Sequence, residues 1–99
     1  MINEQNISAS LVSSPEVILS NHAQARIQQR GIKPSWISLV LEYGHYIYQS
    51  GKHSYTVSLN KSGIKQIKKS FGDLVDLGKL RKLYLILSDD SVVVTCAYR

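Results

Sequence analysis

The chain has 99 residues, 43% hydrophobic and 19% charged, the balance of one globular domain with a single core and not of a disordered segment. No apolar run approaches the roughly 20 residues that span a bilayer, and no basic stretch followed by an apolar one opens the chain, so a cytoplasmic protein without membrane contact is expected. One cysteine excludes an internal disulfide and any cysteine-based zinc cluster, while a net charge of +5 points to an acidic partner, nucleic acid or protein.

Residues 1–14 are rich in Asn, Gln and Ser and read as a flexible arm, with a short strand around Leu11 and Val12. Residues 15–99 read as one domain. Val17, Ile18 and Leu19 are placed to staple the first helix to the core. That helix starts at a cap on Ser20 or Asn21 and stops at Gly31. His22, Arg26 and Arg30 recur at i, i+4 along one flank of it, beside the apolar Ala23 and Ile27. A second helix opens on Pro34, carries Trp36, Ile37, Val40 and Leu41 inward, and ends at Gly44. Tyr46 to Tyr48 and the alternating Ser54 to Leu59 flank a turn at Ser50-Gly51-Lys52 and form a hairpin. Asn60 to Ser62 caps a third helix with Ile64, Ile67 and Phe71 inside and lysines outside. Leu74 to Leu80 suggest another short helical piece. Leu83 to Leu87 and Val92 to Tyr98 flank Ser88-Asp89-Asp90-Ser91 as a second hairpin, central in the sheet, with Val94 in the core. The order ααββα(α)ββ describes an α+β fold: a small antiparallel sheet of about four strands against two to three helices.

Seven of the twelve basic residues fall between Lys61 and Lys82, among them Lys65, Lys68 and Lys69 on the outer face of the third helix. Carboxylates are few and scattered, and no P-loop, H-E-x-x-H or paired His/Cys spacing is present, so neither metal nor cofactor is expected. His22, Arg26, Arg30, Lys52, Tyr55, Thr95, Tyr98 and Arg99 remain. They suffice for ribonuclease chemistry without a metal, in which the RNA 2′-OH is the nucleophile and the protein supplies proton movers and cations. The structural reading of the same residues is a solvated flank that ties helix to sheet.

The stretch His22-Ala23-x-x-Arg26-x-x-Gln29-Arg30-Gly31-Ile32, followed by Leu41-Glu42-Tyr43-Gly44, Gly51 through Leu59, Val93-Val94-Thr95 and Tyr98-Arg99, resembles a family of small bacterial proteins. The resemblance runs from residue 20 to residue 99. It extends distantly to toxin ribonucleases of the RelE and EndoU types, which implies a metal-independent endoribonuclease of toxin-antitoxin kind, with RNA as substrate and an acidic antitoxin-like protein as partner. On this expectation His22, Arg26, Arg30 and Tyr98 are the catalytic residues read from the residue types above, and Lys52, Tyr55, Thr95, Arg99, Lys65, Lys68 and Lys69 are the substrate contacts. Tyr98 stands where that family tends to carry a histidine. The rival expectation is a non-catalytic module that binds nucleic acid or an acidic protein through the Lys61–Lys82 face. A homodimer is compatible with either.

Overall fold

A computed structural model describes residues 18–99. The elements are β1 (Ile18–Leu19), α1 (Asn21–Arg30), α2 (Pro34–Tyr43), β2 (His45–Gln49), β3 (Ser54–Ser58), α3 (Lys61–Phe71), α4 (Leu77–Leu80), β4 (Leu83–Ser88) and β5 (Val92–Tyr98). The expected arm and the strand around Leu11 and Val12 lie outside the described residues.

The fold is α+β, as the hydrophobic periods require. Local chemistry sets the helix ends. Ser20 Oγ accepts the Ala23 amide at 3.0 Å to start α1, and Gly31, at φ +62°, takes the left-handed turn that ends it. Asn60 Oδ1 accepts the Gly63 amide at 2.9 Å to start α3. α2 begins on Pro34 and buries Trp36, Ile37 and Val40. At Gly44 a Cβ would collide with the Val40 carbonyl and come within 2.9 Å of Val57 Cγ1, so only glycine lets β2 leave the helix this close to β3. Within α3, Ile67 is fully buried and Ile64 half-buried, while Phe71 in the last turn stays 37% exposed, lining a pocket with Trp36 and Leu39.

The five strands run in the order β1-β5-β4-β3-β2, antiparallel except for β1, which pairs parallel with β5. The sheet is thus mixed and one strand wider than expected. Ile18 and Leu19 pair with Val92 and Val93 and extend the sheet, and Leu19 also packs against the core. The β4–β5 hairpin sits inside the sheet, where its apolar runs belong. Leu83, Leu85 and Leu87 of β4 face the same way as Val57 of β3 and Cys96 and Val93 of β5, and all join one cluster with Ala23, Trp36, Ile37, Val40, Ile67 and Leu80 from the helices.

A β-bulge decides which residues of β5 enter that cluster. The register runs Leu85 to Cys96 and Ile86 to Thr95, then skips to Leu87 with Val93, leaving Val94 as the extra residue. Val93 is therefore fully buried and Val94 only half-buried, the reverse of the placement expected for Val94. The bulge also anchors α1. Ser20 N–H donates to the Val93 carbonyl at 2.9 Å and Ser20 Oγ–H to the Val94 carbonyl at 3.1 Å, so one serine caps the helix and ties it to β5. The Cys96 thiol lies 4.0 Å from the Ala23 carbonyl oxygen one turn further on.

Candidate functional site

With α1 held at its first turn by Ser20, Arg26 comes down beside β5. Arg26 is half-buried, and its charge acts on the buried Cys96. Two residues along the same face of β5 stands Tyr98, half-buried, with the Lys79 ammonium 5.3 Å from its ring centre. Asp76, at the cap of α4, bears on Tyr98 from the same side. Arg26 Nε and the Tyr98 hydroxyl are both buried and hydrogen-bond to nothing among the described residues. An unsatisfied buried polar atom costs about 1–3 kcal/mol, so two of them in one region of the seam between α1 and β5 ask for a reason beyond packing.

The proton chemistry of the seam is one-sided. Burial pushes the Cys96 thiol up, against the opposing pull of the Arg26 guanidinium. Burial, and then the charges of Cys96 and Asp76, push the Tyr98 phenol up as well. Both groups stay protonated at neutral pH. The folded state thus holds these protons more tightly than the unfolded chain does. Their contribution to stability is complete below the unfolded-chain values and is lost as pH rises through the raised folded ones. We expect the melting temperature to fall once the pH passes about 9 to 10, where free thiols and phenols ionise. Tyr98→Phe should make that fall shallower; an identical pH profile for the variant would remove Tyr98 as a contributor.

The other candidate residues disperse. His22 lies on the same flank of α1, one turn before Arg26, and is exposed; Arg30 is exposed in the last turn. Thr95 and Arg99 alternate with Cys96 and Tyr98. Thr95 pairs with Ile86 on the opposite face of the sheet, and the Arg99 guanidinium stacks 5.1 Å from the centre of the Tyr84 ring. Lys52 is exposed in the short 3-10 turn between β2 and β3. Tyr55 packs between Tyr46 and Tyr48, at centroid distances of 6.0 and 4.9 Å, on the β2 side of the sheet. Of the other two histidines, His45 pairs with Ser58 on β3, and His53 turns to Asp89 at 3.7 Å.

Lys65 and Lys68 line a groove of about 660 Å³ between α3 and α4, with Lys61 and Arg81 as further cations and Leu59, Ile64 and Leu77 as its apolar floor. Among the described residues no carboxylate lines it, and Lys69 is not part of its lining. α4 separates groove from seam: Leu77, Gly78 and Arg81 face the groove, while Lys79 of the same turn covers Tyr98. Sequence reasoning named neither Lys79 nor Cys96 as site residues. The basic bias of 61–82 pointed toward Lys79, but Cys96 carried no signal beyond its apolar neighbours.

Among the described residues no group of three or more His, Cys, Asp or Glu is placed to hold a metal ion, and no helix is long and apolar enough to cross a membrane. Residues 19–99 match a family described as a domain of unknown function, DUF4258. The chain belongs to the DUF4258 family. The matched span of this DUF4258 domain takes in the Ser20 anchor, the seam and the groove together. No curated protein and no solved structure matches the chain.

Proposed function

We propose that this DUF4258 domain is an RNA-directed, metal-independent endoribonuclease of toxin type that works in the cytoplasm. The observation that supports the reading is a pair of buried polar atoms, Arg26 Nε and Tyr98 OH, that have no hydrogen-bond partner among the described residues, with His22 and Arg30 exposed along the flank of Arg26 and Lys79 over the Tyr98 ring. Arg26, half-buried beside β5, holds a phosphate on its guanidinium. His22 takes the proton of the RNA 2′-OH, and the 2′-oxygen attacks the adjacent phosphorus. The P–O5′ bond breaks, and the 5′-oxygen takes a proton from the Lys79 ammonium. The products are a 2′,3′-cyclic phosphate and a free 5′-hydroxyl. Arg26 and Arg30 offset the charge that develops on phosphorus. Tyr98, its hydroxyl beneath the surface, is a positioning residue whose ring holds the ammonium in place.

The groove cations favour a second reading, in which the domain binds RNA without cutting it. One experiment covers both. Purified protein is incubated with a labelled single-stranded RNA in EDTA, and products and binding are followed across a salt series. The enzyme reading expects cyclic-phosphate ends that survive EDTA. Cleavage that returns only with added Mg²⁺ overturns the metal-independent step. Binding without cleavage leaves the second reading. In that case log affinity should fall against log salt by about 0.7 per phosphate neutralised, and a Lys61, Lys65 and Lys68 to Gln triple variant should flatten the slope. No binding at low salt ends both.

A further inference from the structure

The sheet has two edges of unequal character. β1 is two residues long, whereas β2 runs for five and, among the described residues, pairs on one side only, with β3. Pairing with β3 uses alternate residues of β2, so the N–H and C=O groups of the others point outward, ready for another strand. Free edges of this kind are ordinarily guarded by lysine, proline or a bulge. β2 has none of these: it reads His-Tyr-Ile-Tyr-Gln, and its register with β3 runs from His45 to Gln49 without a shift. Its three central side chains are large, hydrophobic and exposed, Tyr46 to 40%, Ile47 to 48% and Tyr48 to 45%.

The occupant follows from charge and from symmetry. A chain of net charge +5 repels its own copies, yet this strand carries no formally charged residue with which to do so. The strand is also nearly palindromic about Ile47, with Tyr on either side and a neutral polar residue at each end. Antiparallel pairing with itself about a two-fold axis through Ile47 sets Tyr46 opposite Tyr48 of a second copy and Ile47 opposite Ile47. These are the aromatic and β-branched cross-strand pairs that sheets favour. Both tyrosines are already held in place. The Tyr46 hydroxyl donates to the Leu41 carbonyl at 2.6 Å, the Tyr48 hydroxyl lies 3.4 Å from Asp89 Oδ2, and each ring packs edge-on against Tyr55. Side chains already ordered lose little rotamer freedom on association.

We propose that β2 is a homodimer interface, across which two copies join their sheets edge to edge about Ile47. The interface is independent of the RNA reading, since none of the seam or groove residues lies on β2. A single strand pair buries modest area, so a reversible dimer of micromolar to sub-millimolar affinity is expected.

The test is sedimentation equilibrium of the full chain from micromolar to millimolar concentration. Wild type should dimerise reversibly. Ile47→Lys, which sets lysine against lysine across the axis, should weaken the dimer at least tenfold while keeping the wild-type melting temperature. Leu74→Lys, at an exposed apolar residue far along the chain from β2, should dimerise like wild type. Hydrogen exchange of the 45–49 amides should slow as concentration rises. A wild type that stays monomeric at millimolar concentration overturns the proposal, as does an Ile47→Lys protein that dimerises normally. Loss of the dimer in Leu74→Lys alone overturns it too, by moving the interface to the Phe71–Leu74 surface. If Ile47→Lys does not fold, wild-type exchange at 45–49 decides: rates independent of protein concentration overturn the proposal, and rates that slow with concentration uphold it.

Discussion

Arg26→Ala is expected to lower RNA cleavage by roughly 100- to 1,000-fold and to weaken RNA binding as well, because one guanidinium serves both the bound phosphate and the charge that develops on it. His22→Ala should lose about 100-fold or more in rate while keeping most of the affinity, since a proton mover acts mainly in the transition state. Tyr98 separates two versions of the mechanism. Tyr98→Phe keeps the ring beneath the Lys79 ammonium and should stay within a few-fold of wild type, whereas Tyr98→Leu removes the ring and should approach the loss seen for Lys79→Ala. If Tyr98→Phe alone abolishes cleavage in a folded protein, the hydroxyl and not the ammonium is the acid. If His22→Ala and Arg26→Ala both lower the melting temperature and leave activity per folded molecule unchanged, the flank is structural and the catalytic reading fails.

The second large effect concerns the core. Leu85 is fully buried at the centre of the sheet, between Val57 on β3 and Cys96 on β5. Leu85→Ala should cost about 2–5 kcal/mol through lost transfer energy and the cavity left behind. Against the 5–15 kcal/mol that holds a typical domain together, that is enough to bring a chain of this size close to unfolding. Val94→Ala should cost far less, because the bulge leaves Val94 half-buried, and Val94→Asp should still fold. Urea titrations of the three variants check the order. A Val94→Asp protein that is unfolded in buffer would place the bulge elsewhere.

What the chain reveals by itself divides along the range of the interactions involved. The cap at Ser20, the stop at Gly31, Pro34 at the head of α2 and the Asn60 cap are contacts between near neighbours, and each is readable from a few residues. The hairpins follow from alternation around short polar turns. β1 was not legible, because two apolar residues hold no period and their partners, Val92 and Val93, lie more than seventy positions away. The bulge was hidden for a related reason: three valines in a row give no alternation from which a skipped residue could be read. In the candidate site, the flank of His22, Arg26 and Arg30 came from helix geometry alone. That Thr95 and Arg99 part company with Tyr98 was also available, since neighbours of opposite parity on a strand point to opposite faces. Lys52 and Tyr55 joined the candidate set on residue type, and the sheet order, which no local pattern encodes, sends them to its far side.

The bond from Ser20 to the Val94 carbonyl spans 74 positions of chain. The first helix is therefore seated on a strand that is synthesised more than seventy residues after it. Until β5 has left the exit tunnel, α1 has neither its anchor in the bulge nor Cys96 and Tyr98 to lie against. Closing so long a loop is slow compared with forming α2 or the β2–β3 hairpin. A nascent chain can thus fold much of its scaffold while the seam is still open. On the reading proposed above, RNA cleavage would begin only once β5 has joined the sheet.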